Sequence, residues 1–227
     1  MLVDADLAHV GALLGDRRRA AMLLALLGGE ELPARELAAR AGASSSLASA
    51  HLGKLLEGGL VSAQRAGRER RYRISNPDVA EALEALVGLA PARQANSLRE
   101  SRQGEAIRRA RTCYDHLAGE LGVGLTDALV RQGVLRSSAS GFELTASGDR
   151  RLHDLGVDVQ AARARRRTFI RHCIDWTERR PHLAGALGAA LAARLLELDW
   201  VTRRSGSRAL DVTPTGAREL RRRFGLA

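Results

Sequence analysis

The feature that most constrains the fold is residues 37–74, where two helix-forming stretches, a tight turn and a basic hairpin follow one another. The first stretch contains Ala38, a residue small enough for two helices to cross, and ends at Gly42, which permits the positive φ of a tight turn. Ser44 is a favourable N-cap for the second stretch, SSLASAHLGKLLEGG, which two glycines end. Two short β-type runs then flank a turn at Gly67. The sequence therefore predicts a helix, a turn, a second helix and a β-hairpin.

The polar side chains of this segment suit contact with nucleic acid. Short hydroxyls at an exposed helix N-terminus can contact phosphates and base edges in a major groove. A basic hairpin beside such a helix can straddle a phosphate ridge or enter the minor groove. Alone, a serine-rich helix start is usually a cap and an arginine-rich hairpin a solvated turn, but their order and spacing favour DNA binding. The predicted DNA-contacting residues are Ser44, Ser45, Ser46, Ser49, His51, Lys54, Arg65, Arg68, Arg70 and Arg71.

Residues 5–90 resemble the ArsR/SmtB-type family of winged-helix repressors. The resemblance lies in three runs, LGDRRRAAMLLALL, ELAARAGASSSLASAHLGKLLEGGLV and RAGRERRYRI. It implies a homodimer whose recognition helix spans residues 44–54 and whose wing spans residues 62–73. It also implies that the dimer forms through the helices at about residues 5–14 and 77–89.

The usual metal-sensing sites of that family are not expected in this chain. Family sensors often carry paired cysteines at the start of the third helix, where this sequence has Glu31, Pro33 and Arg35. Others place Asp and His ligands along the helix after the wing, and the corresponding run NPDVAEALEALVGLA contains no His. The resemblance therefore implies DNA binding without either of these sites.

Composition points to a mainly helical chain with an unevenly distributed charge. Ala, Leu and Arg abound and only 3% of residues are aromatic, so the core must be built mainly from Leu, Ala and Val. The formal net charge of +10 favours polyanionic partners. Residues 1–91 hold 11 Lys and Arg against 11 Asp and Glu, so the whole surplus lies in residues 92–227. Within residues 1–91, only the local basic cluster therefore points to DNA.

We predict a mainly α fold with a minor β component, divided into two domains. Residues 1–91 form the winged helix-turn-helix domain, residues 92–104 a polar linker and residues 105–227 a C-terminal domain. The C-terminal domain contains an internal repeat, since residues 116–125 match residues 182–191. Each of the two repeats is predicted to fold as helix, β-hairpin and helix. This domain would brace the dimer or bind an effector.

A leucine at every fourth position predicts that each repeat begins with one continuous helix. These leucines are Leu117, Leu121, Leu125 and Leu129 in the first copy, and Leu183, Leu187, Leu191 and Leu195 in the second. Small residues recur at the same spacing, Ala118 with Gly122 and Ala184 with Gly188. They predict a face that another backbone can approach closely, and we expect the two repeat helices to pack together through it.

The C-terminal domain also carries two groups of metal-ligating residue types, in RTCYDHLAG and RHCIDWTERRPHLAG. Each group combines a thiol, a carboxylate and an imidazole, which can bind zinc or a softer metal. The spacings match no standard zinc finger, so we favour buried thiols with polar groups that tie helices together, and no metal or other cofactor is predicted. A redox pair of the two thiols stays open. The weak metal candidates are Cys113, Asp115, His116, Cys173, Asp175 and His182.

Other functional classes lack their signatures in this sequence. It has no nucleophile elbow, phosphate-binding glycine loop or paired-carboxylate motif, so we do not expect an enzyme. Its start does not resemble a signal peptide, and charged residues interrupt every apolar run. We therefore expect a cytoplasmic protein that does not contact membranes.

The sequence thus predicts a homodimeric repressor that binds double-stranded DNA, and an unidentified small-molecule effector could act on its C-terminal domain. Two alternatives stay open. The first is a sequence-tolerant architectural DNA-binding protein, which competition with random DNA distinguishes from a repressor. The second is a protein-interaction module with a degenerate helix-turn-helix, which would not bind DNA.

Overall fold

The chain folds into two units, Met1–Glu84 and Ala85–Ala227. The computed structural model describes residues 4–91, 94–138 and 141–226. The elements of the first unit are α1 (Leu7–Leu14), α2 (Arg17–Leu26), β1 (Leu32–Pro33), α3 (Ala34–Ala41), α4 (Ser45–Glu57), β2 (Val61–Ala66), β3 (Glu69–Ile74) and most of α5 (Pro77–Leu89). The strands form one antiparallel sheet in the order β1, β3, β2. This is a winged helix-turn-helix, in which α3 and α4 are the two helices and β2 with β3 forms the wing.

Local sequence explains where the helix-turn-helix bends. Gly42 ends α3 in the left-handed conformation, with a φ of +60° that a residue without Cβ adopts at little cost. Ser44 caps α4, because its Oγ accepts a hydrogen bond from the Leu47 backbone N–H at 3.4 Å. Both features agree with the sequence prediction. Leu52 and Leu55 anchor α4 in the core, whereas Leu47 is 37% exposed.

The second unit alternates short hairpins with helices. Its elements after α5 are α6 (Leu98–Arg109), β4 (Arg111–Cys113), β5 (His116–Ala118), α7 (Gly119–Arg131), β6 (Leu135–Ser138), β7 (Gly141–Leu144), α8 (Ala146–Asp154), α9 (Val159–Ala164), β8 (Arg171–Ile174), β9 (Pro181–Ala184), α10 (Gly185–Glu197), β10 (Val201–Arg203), β11 (Leu210–Val212) and α11 (Pro214–Phe224). Helix α6 begins inside the predicted linker of residues 92–104, of which Ala92 and Arg93 lie outside the described residues. Ala139 and Ser140, in the first predicted repeat, lie outside them as well.

The order hairpin, helix, hairpin, helix occurs twice in this unit, once from β4 to α8 and once from β8 to α11. The expected continuous helices are wrong at their starts, because Leu117 lies in strand β5 and Leu183 in strand β9. The helices begin only at Gly119 and Gly185, whose φ angles are +74° and +82°. These left-handed residues turn each strand sharply into the following helix. The four-residue spacing of the leucines therefore spans a strand and the helix after it, and does not mark one continuous helix.

Gly122 and Gly188, the small residues predicted to bring the two repeat helices together, line one narrow space between α7 and α10, and each also lies against the strand before its own helix. A Cβ on Gly122 would lie 2.4 Å from the Leu117 carbonyl oxygen, and one on Gly188 would lie 2.6 Å from the Leu183 carbonyl oxygen. The glycines thus make room for the strand that precedes their own helix. Each helix also contacts the hairpin of the other repeat, as when Thr126 Oγ1 in α7 accepts a hydrogen bond from the Leu183 backbone N–H in β9 at 2.9 Å.

Candidate functional site

The N-terminal half of α4 presents a row of hydroxyls to solvent. Ser44, Ser45, Ser46 and Ser49 are all exposed, and so is Lys54 on the same helix. The Oγ atoms of Ser44 and Ser46 lie 3.2 Å apart, and Ser49 Oγ donates to the Ser45 carbonyl at 2.9 Å. Every residue of the first turn is uncharged, so no carboxylate offsets the positive end of the helix dipole. This end of α4 can therefore accept an anionic ligand.

The wing carries a concentration of arginines that is only partly neutralised. Arg65, Arg68 and Arg70 are exposed, and Arg65 faces Arg70 as its cross-strand partner. Like charges directly opposite each other destabilise a hairpin, so an anion between these two groups would be favourable. The Arg70 guanidinium also lies 5.5 Å from the centre of the Tyr72 ring. Tyr72 is buried, so this contact ties Arg70 to a fixed support.

Arg71 is more restrained than the other wing arginines. It is half-buried, and its Nη1 donates to the Glu31 carbonyl at 3.2 Å. Its Nη2 lies 3.9 Å from Glu69, and that carboxylate is also paired with Arg35 at 3.1 Å. The Arg71 guanidinium therefore already has partners within the unit. Arg65, Arg68 and Arg70 are better placed to bind an external anion.

His51 was predicted to contact DNA, but it is buried, with only 8% of its surface exposed. Its Nδ1 lies 3.4 Å from Arg19 Nη1 and 3.7 Å from Asp16 Oδ1. Arg19 in turn donates to the carbonyls of Leu13 and Ala12, both at 2.7 Å. Helical periodicity places residue 51 on the same face as the buried positions 48, 52 and 55.

In the second unit, four of the six weak metal candidates meet in one place. We call Cys113, His116, Cys173 and His182 the Cys–His cluster, and one potential ligand atom from each lies within 4.8 Å of all the others. The two Sγ atoms are 3.9 Å apart, so no disulfide joins them. His116 and His182 are 3% and 1% exposed, and their rings stack with centroids 5.1 Å apart.

Strand pairing explains why these four residues meet. Cys113 pairs with His116 across the β4–β5 hairpin, and Cys173 pairs with His182 across the β8–β9 hairpin. Each hairpin thus supplies one thiol and one imidazole. Sequence reasoning named these residues but missed the pairing, because it assigned His116 to a helix. The available signal was the position of each Cys and His on either side of a turn-forming stretch.

The two carboxylates among the weak metal candidates have other partners. Asp115 forms an ion pair with Arg167, and its Oδ1 lies 3.3 Å from His116 Nδ1. Asp175 is fully buried and pairs with Arg111 at 2.8 Å. It also accepts hydrogen bonds from the Gly119 N–H and the Thr177 hydroxyl, at 2.6 and 2.7 Å. Although burial opposes ionisation, these partners hold the pKa of Asp175 well below its usual range.

Electrostatics within the Cys–His cluster favour a thiolate at Cys173. The contact with Cys113 is the largest influence lowering the pKa of the Cys173 thiol, and the nearby imidazoles of His116 and His182 lower it further against the effect of burial. Burial works to lower the pKa of His116, but Asp115 and Cys173 raise it overall. Both shifts arise from the close contacts of Cys173 with Cys113 and with the two imidazoles.

The sequence profile of the bacterial regulatory protein arsR family matches residues 16–63, which include α3 and α4. An HTH-type transcriptional regulator of Bacillus subtilis, YdfF, is 42% identical over 214 residues, which cover 94% of this chain and 95% of that protein. The chain belongs to the ArsR family. It is a DNA-binding transcriptional regulator, and its similarity to the B. subtilis protein extends over both units.

Other relatives of this ArsR-family chain match a shorter part of it. The transcriptional regulator CmtR of Mycobacterium bovis is 40% identical over 84 residues, covering 37% of this chain and 70% of that protein. Among solved structures, a homodimeric winged helix-turn-helix DNA-binding domain from M. bovis is 36% identical with a TM-score of 0.32. The match covers 39% of this chain and 88% of the M. bovis domain. The cadmium sensor CMTR from Mycobacterium tuberculosis is 38% identical with a TM-score of 0.33, and the match covers 40% of this chain and 94% of the CMTR chain.

Within the described residues of the ArsR-family chain, no helix has the length and apolar character needed to cross a bilayer.

Proposed function

We propose that this ArsR-family chain is a sequence-specific repressor that acts as a homodimer on double-stranded DNA. One observation carries the proposal. The uncharged, serine-rich start of α4 and the arginines of the wing are exposed within the same unit. A helix of this kind reads base edges in a major groove, while a basic hairpin holds the adjacent phosphates.

Within α4, the roles divide by chemistry. Ser45, Ser46 and Ser49 can exchange hydrogen bonds with base edges or phosphates, and Lys54 one turn later can reach a phosphate. Leu47 adds an exposed apolar side chain on the same half of the helix, suited to contact with a thymine methyl group. Ser44 serves mainly as the cap of α4. His51 is left out of the proposed contact set because it is buried.

In the wing, Arg65, Arg68 and Arg70 would contact phosphates. A phosphate between Arg65 and Arg70 would remove the repulsion between these cross-strand partners. These contacts do not distinguish one base from another, so they provide affinity and orientation, whereas α4 provides specificity.

Exposed apolar side chains support the homodimer. In α1, Leu7 is 78% exposed and Val10 is 36% exposed. In the last turns of α5, Leu86 is 47% exposed and Leu89 is 82% exposed. These helices are the dimerisation elements that the family resemblance implies. A twofold axis would place two copies of α4 in successive major grooves of an inverted repeat.

Specificity can be tested with DNA selected from genomic fragments by the pure full-length protein. Fluorescence anisotropy would compare the selected duplex with a shuffled duplex of the same composition. We expect the selected duplex to bind at least about 1,000-fold more tightly at physiological salt. Ser45→Ala with Ser46→Ala should remove about tenfold or more of that preference, and the matched control Ser205→Ala, an exposed serine of the second unit, should not.

The same measurement separates the proposal from its alternatives. Equal affinity for selected and shuffled duplexes would show a sequence-tolerant architectural protein. No measurable binding to any duplex would favour a protein-interaction module. Either result would overturn the repressor assignment.

A further inference from the structure

We propose that Cys113, His116, Cys173 and His182 form a closed, four-coordinate site for one zinc-class divalent ion, held between the β4–β5 and β8–β9 hairpins. This proposal concerns the second unit and does not depend on DNA binding. It differs from the family's metal-sensing positions considered above, which lie at the third helix and after the wing.

The spacing of the ligand atoms fits a tetrahedral ion. Zinc–sulfur bonds of about 2.3 Å place two thiolates about 3.8 Å apart in a tetrahedron. The observed Sγ–Sγ distance between Cys113 and Cys173 is 3.9 Å. One potential ligand atom from each of the four residues lies within 4.8 Å of the rest, so only a small contraction would bring all four into bonding distance. A disulfide, in contrast, would require the sulfur atoms to approach to about 2.05 Å.

The imidazoles supply an independent indication that a ligand is bound. His116 Nε2 and both ring nitrogens of His182 are buried and make no hydrogen bond of standard geometry to any residue in the described part of the chain. A buried polar atom without a partner is costly, and native proteins rarely contain three of them together. A metal ion would give His116 Nε2 and one nitrogen of His182 a stronger partner than the Cys173 sulfur that lies near them.

Asp115 is not a proposed ligand, but it contacts His116, which is one. Its Oδ1 lies 3.3 Å from His116 Nδ1, and a proton on this nitrogen would leave Nε2 as the electron-pair donor to the ion. Arg167 holds the same carboxylate through an ion pair. Carboxylates that bind the distal nitrogen of a ligating histidine orient its ring and increase its basicity. Asp115 would therefore be a positioning residue for His116.

Charge and coordination number define the class of ion and its role. Two cysteine thiolates neutralise a divalent cation, so the occupied site would carry no net charge in its buried position. Two thiolates with two imidazoles suit zinc, whereas magnesium and calcium prefer oxygen ligands. Four protein ligands leave no open position for a water or substrate, which is typical of a structural site. The ion would hold together two hairpins that strand pairing alone does not join.

Cobalt substitution tests the site directly. The full-length protein would be reduced with a phosphine, stripped with a chelator and titrated with Co²⁺, then with Zn²⁺. We expect intense visible bands of tetrahedral Co²⁺ and a thiolate charge-transfer band, both saturating at one ion per chain and both removed by Zn²⁺. Native mass spectrometry should show one bound zinc, and Zn²⁺ should raise the melting temperature.

Variants connect the spectrum to the proposed ligands. Cys173→Ser and His182→Ala should abolish the tetrahedral spectrum, and Asp115→Ala should weaken metal affinity by roughly 10–100-fold. The control His153→Ala removes an exposed imidazole from α8 and should leave the spectrum and affinity unchanged. If Cys173→Ser fails to fold, Asp115→Ala and the wild-type titration still decide the question. The proposal is overturned if the reduced wild-type protein, with two titratable thiols, gives no tetrahedral spectrum and holds no zinc. An unchanged spectrum in folded His182→Ala would overturn it as well.

Discussion

Arg111 and Asp175 form an ion pair from which solvent is excluded, with Nη2 and Oδ2 2.8 Å apart and side-chain exposures of 1% and 0%. Asp175 also binds the N–H of Gly119, the residue at which strand β5 turns into α7. The pair therefore links the β8–β9 hairpin to the start of α7. A buried charge that loses its partner is strongly destabilising, although the intact pair itself contributes little net stability.

Asp175→Asn should consequently destabilise the second unit by about 3–5 kcal/mol. Denaturant unfolding followed by tryptophan fluorescence measures this, since both tryptophans, Trp176 and Trp200, lie in that unit. Asp127→Asn is the matched control. Its carboxylate accepts two hydrogen bonds from Arg180, at 2.9 and 2.8 Å, but both side chains are exposed, so a much smaller loss is expected. Equal losses in the two variants would contradict the role assigned to burial.

Gly185→Ala should destabilise the second unit by more than about 1 kcal/mol. The residue has a φ of +82°, and a Cβ there would lie 2.8 Å from the carbonyl oxygens of Phe169 and Thr168. The control is Gly104→Ala in the exposed helix α6, where a Cβ meets nothing within 4 Å. That change should be neutral or stabilising by about 0.5–1 kcal/mol. The same fluorescence measurement decides between these outcomes, and a neutral Gly185→Ala would refute the required left-handed turn.

His51→Ala should lower the stability of the first unit and leave DNA affinity unchanged in the folded protein. Removing this imidazole leaves the Arg19 guanidinium with one partner fewer in a buried position, at a cost of roughly 1–3 kcal/mol. Hydrogen exchange at the amides of α2 and α4 would report the loss of stability, and anisotropy would report DNA affinity. A variant of undiminished stability that binds DNA several-fold more weakly would place His51 in the interface after all.

Arg70→Ala should weaken binding to selected and shuffled duplexes by similar factors, because a phosphate contact is insensitive to sequence. The slope of the logarithm of affinity against the logarithm of salt concentration should fall in magnitude by about 1. Arg150→Ala, which removes an exposed arginine from α8, is the control and should retain the wild-type slope. An unaltered slope in Arg70→Ala would mean that the wing does not reach the phosphates.

Leu7→Glu combined with Leu89→Glu should shift the protein from dimer to monomer in sedimentation velocity experiments. Both leucines are about as exposed as Leu98, with exposures of 78%, 82% and 80% respectively, but only the first two lie on the proposed dimerisation helices. Leu98→Glu on α6 is therefore the control that should remain dimeric. A dimer that survives the double substitution would require a different interface.

Local signals allowed the first unit to be predicted well from sequence. Gly42 and Ser44 act through their own backbone and their immediate neighbours, so the turn and the start of α4 could be placed directly. His51 was misplaced because residue type was weighed above helical position. In the second unit, the left-handed turns at Gly119 and Gly185 were not predicted, because the four-residue leucine spacing continues past them and suggested one unbroken helix. The Cys–His cluster depends on contacts between residues 60 positions apart, which no local pattern reveals.

The opposition of Arg65 and Arg70 across the wing has a consequence for how ionic strength acts on the two states of this protein. In the unbound chain, dissolved anions shield the two guanidinium groups from each other, so added salt should steady the hairpin tip. In the complex, the same anions compete with the nucleic acid for these groups. Raising the salt concentration would therefore make the tip of the wing more rigid in the free protein, while it weakens the binding of the wing to DNA.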